Sequence, residues 1–221
     1  MFLRWIGSGV AGAAVLTILD PLGVLRSLAS AVVQSGGGST GQLGGQGSAA
    51  AGGGFAEYYT VIDGFPKTTL VQYTLDVQGT VQKPSVLSWH EVQNLLPTSE
   101  TVNFQCVTGW SVPHVHWEGI RIQHLMDLVQ PHSSVQFVNF YSFDGVYTES
   151  LPLKEALDPT VLLAYRLNGS PLKVEQGFPV RLVVPKMYGY KSIKWVSRVE
   201  FSDTPIVGYW EQRGYPSQAY I

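Results

Sequence analysis

The sequence has little cysteine and little charge. Its 221 residues include one cysteine, Cys106, which excludes an intramolecular disulfide and every zinc or iron–sulfur site built from several cysteines. Charged residues make up 14% and the formal net charge is −2, so no long-range attraction to nucleic acid is expected. No Walker phosphate loop is present, and in the expected folded body no dinucleotide fingerprint or serine-hydrolase elbow joins a predicted strand to a predicted helix. Nucleotide enzymes, serine hydrolases and nucleic-acid-binding proteins are therefore disfavoured.

The first 33 residues have the features of a targeting segment. An apolar run from residue 6 to residue 19 follows Arg4, and Ala29-Ser30-Ala31 fits a small-residue cleavage site. Continued to residue 33, the run could instead form an uncleaved anchor. Phe2-Leu3-Arg4-Trp5 resembles the second half of a twin-arginine signal that lacks its arginine pair. Residues 1–33 therefore predict an export signal or a membrane anchor, and a secreted, periplasmic or outward-facing anchored protein.

Composition separates the rest of the chain into a linker and one domain. Residues 34–56 consist mainly of Gly, Ser, Gln and Ala, which bury little surface and favour a flexible linker. Residues 57–221 are long enough to bury one substantial core, and 45% of the whole chain is hydrophobic. We therefore expect one catalytic domain over residues 57–221.

Short alternating segments dominate that domain. Residues 71–77 and 180–184 alternate as strands do, and Asn168-Gly169 marks a tight turn. Three short helices are predicted, the first after the capping box Ser88-Trp89-His90-Glu91, the others over residues 122–129 and 153–157. The sequence predicts an α+β domain of mixed, mainly antiparallel sheets with short helices in the connections.

A basic stretch lies near the C-terminus. Residues 177–199 contain no Asp or Glu but five cations: Arg181, Lys186, Lys191, Lys194 and Arg198. Glycine and small polar residues surround Lys191 and Lys194, so backbone N–H groups and ammonium groups could bind a phosphate there. The alternative is a solvated strand face whose charges keep a sheet edge soluble.

Cys106 lies where a predicted strand enters a glycine turn, in Asn103-Phe104-Gln105-Cys106-Val107-Thr108-Gly109-Trp110-Ser111. A thiolate there could bind a metal or act as a nucleophile. The sulfur could equally be a small buried apolar group, as most lone cysteines are. His114 and His116 are predicted on one face of an extended segment, which leaves open a copper-like His-His-Cys site.

Several motifs in order resemble the molybdopterin-binding domain of the sulfite oxidase superfamily. The similarity runs from about residue 58 to residue 214, and its nearest known types are single-domain sulfite-oxidase-like proteins and the catalytic subunit of the periplasmic methionine sulfoxide reductase. The motifs are Phe104-Gln105-Cys106-Val107-Thr108-Gly109-Trp110-Ser111, Trp117-Glu118-Gly119, Tyr147-Thr148-Glu149-Ser150-Leu151-Pro152-Leu153, Leu163-Ala164-Tyr165, Asn168-Gly169, Gly177 through Pro185, and Lys191-Ser192-Ile193-Lys194-Trp195.

The resemblance implies a molybdenum–molybdopterin cofactor of the mononucleotide type, with Cys106 as the metal ligand. It implies an active-site tyrosine at Tyr147, and Thr108 occupies the position of an acidic residue of the sulfoxide reductase. The implied contacts to the pterin and its phosphate, with Lys191 added from the basic stretch, are Ser142, Gln176, Arg181, Lys191, Ser192, Ile193 and Lys194.

The implied activity is oxygen-atom transfer on a small oxo compound, with electrons exchanged with a separate protein such as a cytochrome or a membrane haem subunit. Where sulfite oxidases carry an arginine that helps to hold sulfite, this chain has Thr108-Gly109-Trp110-Ser111, so a sulfoxide-like substrate is favoured over sulfite. Neither a haem domain nor the dimerisation domain of sulfite oxidases is expected, which predicts a monomer. The alternative is a cofactor-binding or electron-transfer module without turnover.

Overall fold

A computed structural model of the chain describes residues 17–19, 25–27, 55 and 58–221. The chain divides into two compact units, Met1–Gly45 and Gln46–Ile221. In the first unit, β1 (Thr17–Leu19) pairs antiparallel with β2 (Leu25–Ser27). The rest of the predicted targeting segment and most of the predicted linker lie outside the described residues, and both stay predictions. Among the helices of the described residues, none has the length and apolar character needed to cross a membrane.

The second unit contains one antiparallel sheet and one mixed sheet, with short helices in the connections, which confirms the predicted α+β class. In the first sheet the order is β10-β9-β6-β5, and β11 pairs antiparallel with β9. In the second sheet the order is β4-β3-β12-β7-β8, where β3 and β12 are parallel and the other pairs are antiparallel. The strands of this unit are β3 (Thr74–Gly79), β4 (Ser85–Ser88), β5 (Thr98–Gln105), β6 (Ser111–Arg121), β7 (Phe137–Ser142), β8 (Thr148–Pro152), β9 (Leu162–Leu167), β10 (Ser170–Pro171), β11 (Arg181–Val183) and β12 (Val196–Ser202).

The helices lie close to where the sequence predicts them. They are α1 (Trp89–Asn94), α2 (Ile122–Val129) and α3 (Leu153–Ala156). The Ser88 hydroxyl accepts a hydrogen bond from the Glu91 N–H while the Glu91 carboxylate accepts one from the Ser88 N–H, so the predicted capping box is formed. The turn at Asn168-Gly169 is also confirmed, since both residues have positive φ between β9 and β10.

The strand predicted over residues 71–77 begins later than expected, at Thr74. The N–H groups of Gln72 and Tyr73 both donate to the Thr69 carbonyl, so a turn occupies the residues that precede the strand. Val71 lies in this turn and is 96% exposed, which shows that its apolar side chain does not belong to the core. The alternating pattern alone did not reveal where the turn ends.

Two groups of buried side chains fill the second unit. The larger one contains residues of both sheets and of the helices, among them Leu75, Phe140 and Phe201. The smaller one packs on the first sheet around Trp117, with the partly buried rings of Phe104 and other aromatic residues against it. Strand β11 contributes to both groups through alternate residues, because Leu182 belongs to the larger and Val183 to the smaller.

Candidate functional site

The Cys106 thiol lies at the tip of the hairpin that joins β5 to β6. Gln105 pairs with Ser111, and the Cys106 N–H donates to the Trp110 carbonyl at 2.8 Å. Gly109 allows the chain to turn because it adopts φ +97°, which a residue with a side chain rarely does. The thiol is half-buried, and its Sγ lies 3.1 Å from the Oγ1 of the exposed Thr108. The turn therefore presents the sulfur at a strand end with a hydroxyl beside it.

Arg181 is buried in the first residue of β11, with 5% of its surface exposed. Its guanidinium donates to the carbonyls of Gln176 at 3.1 Å and Ser192 at 3.0 Å, and it lies 5.1 Å from the centre of the Trp117 ring. Among the described residues it has no carboxylate in ion-pair contact. Burial lowers the pKa of Arg181 to about 10. The group is still protonated at neutral pH, so it carries a buried positive charge that no carboxylate of the described residues compensates.

Lys194 places a second cation beside this charge. Its ammonium donates to the carbonyls of Tyr59 and Glu175 and lies 4.4 Å from the centre of the Trp195 ring. Burial, together with the nearby charge of Arg181, lowers the pKa of Lys194 to about 7. Carbonyl groups rather than carboxylates thus hold both cations, and an anion bound between them would favour the charged form of Lys194.

Gly177 allows the two cations to approach each other. It has φ +108°, and a Cβ at this position would lie 2.9 Å from Cβ of Arg181 and 3.1 Å from Cβ of Lys194. The missing side chain therefore lets both cationic residues pack against the same backbone. Two adjacent cations with carbonyl partners could hold an anion locally, in a chain whose net charge is slightly negative.

Aromatic rings border the hairpin that carries Cys106. Phe55 packs against Phe104, Trp110 and Trp117, with ring centres 4.9, 6.3 and 6.0 Å apart respectively. In the described part of the chain, the buried indole N–H groups of Trp110 and Trp117 have no hydrogen-bond partner. The predicted linker extends to residue 56, yet Phe55 packs into this wall, so chain contacts begin before the predicted domain boundary. The unpartnered N–H groups are available donors beside the site.

The other predicted cofactor contacts hold the loop that carries Lys194. The Gln176 amide donates to the Tyr58 hydroxyl at 3.0 Å, and the Ser192 hydroxyl accepts from the Val184 N–H at 3.0 Å. Ile193 is 1% exposed, and its carbonyl accepts from the Leu182 N–H. Gln176, Ser192 and Ile193 therefore surround the cation pair, and their bonds fix the loop.

Tyr147 and Ser142 lie at the two ends of the loop between β7 and β8. The Tyr147 hydroxyl donates to the Tyr190 carbonyl at 2.6 Å, and its ring stacks on Tyr209 with centres 5.3 Å apart. Burial, followed by the charge of Glu149, raises the pKa of Tyr147 well above its usual value, so its phenol stays protonated. Ser142 is buried and accepts from the Asp144 N–H at 3.1 Å. Tyr147 and Ser142 line an open cavity of about 430 Å³.

Lys191 is directed away from the cation pair. Its ammonium binds the carboxylates of Glu149 and Glu211, the latter at 2.6 Å, and donates to the Ser150 carbonyl at 3.1 Å. The side chain is 1% exposed. Because three acceptors already satisfy the three N–H donors, this geometry gives no support to the predicted phosphate contact, and we assign Lys191 a structural role.

The histidines do not join Cys106. His116 pairs with Thr101 across the sheet, five residues before Cys106 on β5, which is about 17 Å along an extended strand. Its Nδ1 lies 3.0 Å from the Thr101 hydroxyl, and the backbone N–H of His114 donates to the Asn103 side chain. No cluster of three or more His, Cys, Asp or Glu residues able to hold a metal is found in the residues that the structure describes. The alternative His-His-Cys site is therefore wrong, because strand register separates its members.

Sequence reasoning missed three residues that shape the site: Trp117 under Arg181, and the two acids Glu149 and Glu211 around Lys191. Glu149 and Glu211 lie 42 and 20 residues from Lys191 in sequence. The only signal was that Trp117 and Glu149 stand in two of the motifs on which the family resemblance rests, and these motifs gave neither residue a role. Nothing in the sequence paired these acids with one particular lysine.

Comparisons with known proteins show what this chain is similar to. The family model described as the oxidoreductase molybdopterin-binding domain matches residues 63–210. An uncharacterised oxidoreductase of Bacillus subtilis is 37% identical over 147 residues, which cover 66% of this chain and 73% of that protein. The catalytic subunit of the protein-methionine-sulfoxide reductase of Campylobacter jejuni is 32% identical over 155 residues, which cover 63% of this chain and 52% of the subunit.

A solved structure has the same fold. The sulfane dehydrogenase of Paracoccus pantotrophus aligns with a TM-score of 0.61 at 22% identity, over 66% of this chain and 42% of that chain. The chain thus spans about half the length of the sulfoxide reductase subunit and less than half of the dehydrogenase chain.

Replacing Lys191 tests its structural role. Lys191→Met leaves two buried carboxylates without their cation and is expected to lower the free energy of unfolding by about 3 kcal/mol or more. The loss should be larger at pH 8 than at pH 5, because the carboxyl groups can become neutral at low pH. Urea denaturation at both pH values measures this. The control is Lys186→Met, which removes an exposed ion pair to Asp158 and should change stability by less than about 1 kcal/mol. An equally small loss of unfolding free energy in both variants would contradict the structural role of Lys191.

Proposed function

The chain belongs to the oxidoreductase molybdopterin-binding domain family, and from this membership we propose that it reduces sulfoxide-like substrates at a molybdenum–molybdopterin cofactor, with electrons from a separate protein. It is a molybdopterin-dependent oxidoreductase of the sulfite oxidase type. The observation that carries the proposal is the pair of cations, Arg181 and Lys194, that lacks an acidic partner in the described residues.

The residues present fit an anionic pterin cofactor. A phosphate group would compensate the buried charge of Arg181, which carbonyl groups alone stabilise. Its charge would also oppose the effect that lowers the pKa of Lys194 to about 7. The unpartnered N–H groups of Trp110 and Trp117 could donate to a polar ligand near the same site. Cys106 offers the one thiolate that this cofactor type requires of the protein.

Each residue of the site would then have a definite task. Molybdenum, when bound, supplies the two-electron oxygen-atom chemistry. The Cys106 thiolate would hold the metal, and the Thr108 hydroxyl at 3.1 Å would donate to the sulfur and so tune its electron density. Arg181 suits a forked phosphate contact, and Lys194 a point charge. Tyr147 is fixed by the Tyr190 carbonyl at one wall of the cavity.

A neutral substrate fits the surroundings of Cys106 better than a doubly charged anion. The turn from Cys106 to Trp110 carries no charged side chain. Val107 beside Cys106 and Val146 beside Tyr147 are 40% and 45% exposed. Sulfite would need fixed cations that this turn lacks, whereas a sulfoxide needs an apolar surface and a hydrogen-bond donor. The named activity of the Campylobacter jejuni relative supports the same substrate class.

The electron donor and the location follow from the same proposal. Sulfoxide reduction consumes two electrons, and a one-electron carrier such as a cytochrome or a membrane haem subunit would deliver them in turn. The predicted export signal or anchor in residues 1–33 supports an extracytoplasmic location. The half-buried thiol, which a substrate could approach, favours turnover over a module that only stores the cofactor.

The role of Cys106 can be tested by cofactor loading. Cys106→Ser, purified from a host that makes molybdopterin, should retain about a tenth or less of the wild-type molybdenum, because serine is not ionised near neutral pH. Metal analysis and pterin fluorescence measure this. The wild-type thiol should react with a thiol reagent in the apoprotein and be protected in the loaded protein. Ser111→Ala, at an exposed position nearby, should load normally. Full metal content in Cys106→Ser would refute the assignment.

The role of Lys194 can be tested by charge reversal. Lys194→Glu should lower pterin retention by about tenfold or more, since it replaces attraction to a phosphate by repulsion. Lys186→Glu makes the same charge change in the same basic stretch, but at an exposed side chain, and should retain pterin normally. Fluorescence of the oxidised pterin after gel filtration measures both. Normal retention in Lys194→Glu would show that the phosphate lies elsewhere.

The substrate preference can be tested by comparing sulfoxide reduction with sulfite oxidation, using dyes as artificial electron donors and acceptors. The loaded wild-type protein should oxidise a reduced viologen dye with an alkyl sulfoxide and should show at least about a tenfold lower kcat/KM for sulfite oxidation with an electron acceptor. Thr108→Arg, which adds a cation beside Cys106, should bring kcat/KM for sulfite oxidation closer to kcat/KM for sulfoxide reduction. Faster sulfite oxidation by the wild type would overturn the substrate proposal, and inactivity of loaded protein with both would support the non-catalytic alternative.

A further inference from the structure

A buried carboxyl group lies behind Tyr147. Glu149 is 0% exposed, on β8, and its Oε1 binds the Lys191 ammonium and accepts from the Ser150 N–H at 2.8 Å. Gly208 leaves the room that this carboxyl occupies, since a Cβ there would lie 2.8 Å from Oε1. The group is therefore held in one position by charge and by close packing.

The second oxygen of this carboxyl group accepts no hydrogen bond from an N–H or hydroxyl group of the described residues. Such an oxygen is costly to bury when it is ionised and less costly when it is protonated, and a protonated Glu149 can donate to the neighbouring Glu211 carboxylate. Burial, with a smaller contribution from the charge of Glu211, raises the pKa of Glu149 to about 7 against the opposing charge of Lys191. Tyr147 and Tyr190 lie close enough for the charge of Glu149 to raise their pKa values. Glu149 is thus poised to gain and lose a proton near neutral pH.

Two connections link Glu149 to Tyr147. Residues 147 and 149 are two apart on an extended segment, so both side chains point to the same side of the sheet. The Tyr147 hydroxyl binds the Tyr190 carbonyl, and Glu149 binds the side chain of the next residue, Lys191. The short helical turn Gly189–Lys191 therefore holds both groups.

Glu211 connects this cluster to the surface. One of its oxygens binds Lys191 at 2.6 Å, and the other accepts from the Gly208 N–H at 3.0 Å. Its side chain is 10% exposed, whereas that of Glu149 is inaccessible. Burial acts to raise the pKa of Glu211, but the hydrogen bonds from Lys191, Gly208 and the Glu149 carboxyl group, with the charge of Lys191, lower it. Glu211 thus stays ionised beside Glu149 and offers a path for protons from solvent.

We propose that Glu149 is the proton-supplying residue of this site, passing protons toward Tyr147 and regaining them from solvent past Glu211. The inference rests on the proposed reduction of a sulfoxide. In that reaction the sulfur–oxygen bond breaks, two electrons come from a one-electron donor, and two protons join the oxygen to form water. Glu149 releases one proton at a time from its carboxyl group, while Lys191 stabilises the carboxylate that remains. Glu149 acts through Tyr147 and is a positioning and proton-relay residue.

The test is the pH profile of kcat in the loaded enzyme with an alkyl sulfoxide and a reduced viologen dye. Wild-type kcat should fall as pH rises through about 7, because the donor carboxyl loses its proton. Glu149→Gln should lower kcat at pH 6 by about 10²-fold, abolish that pH dependence and leave KM unchanged. Glu149→Asp, which keeps a carboxyl group, should restore a pH-dependent kcat.

Glu211→Gln is the matched variant, because it also removes one carboxylate from Lys191. It should shift the fall in kcat to lower pH, since the charge of Glu211 raises the pKa of Glu149. Infrared difference spectra of the apoprotein should show a buried protonated carboxyl band at pH 6 that is missing in Glu149→Gln.

The outcomes separate the two proposals. An unchanged pH profile in Glu149→Gln, or a loss of kcat that is equal at every pH and is not rescued by Glu149→Asp, would overturn the relay alone. A loaded wild-type enzyme that reduces no sulfoxide would overturn the proposed function and the relay with it. Molybdenum content measured in every variant separates slow proton supply from poor cofactor loading.

Discussion

The positive charge of Arg181 inside the protein is the constraint on which the rest of the site depends. Three backbone carbonyls accept from its guanidinium, and no carboxylate of the described residues neutralises it. An uncompensated buried charge destabilises the folded protein, and this cost falls when an anion binds. The charged form of Lys194 beside it is also disfavoured, as its lowered pKa shows, and would also be stabilised by an anion. In our proposal this charge binds the phosphate of the pterin cofactor, and the chain's membership of the molybdopterin-binding family supports that assignment.

The other three cations of the same basic stretch have different partners. Lys186 pairs with Asp158 at the surface, Arg198 lies over the Tyr141 ring, and Lys191 is enclosed by two glutamates. Lys186 and Lys191 thus have acidic partners, whereas Arg181 and Lys194 are held by carbonyl groups and are the cations that we propose bind the cofactor phosphate. One of the two acids that bind Lys191, Glu149, is the carboxyl group that lies behind Tyr147. One stretch of sequence thus serves ligand binding, core structure and, in our proposal, proton supply.

Local signals in the sequence predicted the elements of the fold well. The capping box at Ser88, the apolar face of α2 and the Asn168-Gly169 turn act through neighbours a few residues away, and all three are confirmed. The mixed sheets were predicted as a class, whereas the order of the strands was not, because pairing joins segments far apart in sequence. The start of β3 was misplaced because a turn around Val71 interrupts an alternating pattern that otherwise continues.

The sequence by itself determined the α+β class, the resemblance to the molybdopterin family and the position of Cys106 at the end of a strand. Each of these depends on residue types and on short spacings along the chain, which the sequence itself contains. Only the tertiary structure decided which of the five cations in residues 177–199 pair with a carboxylate of the described residues. It also decided that His116 lies far from Cys106, because the register of β5 and β6 separates them. It also decided that Glu149 and Glu211 enclose Lys191, because ion pairing acts over a few ångströms in space between residues 20 and 42 positions apart in the chain.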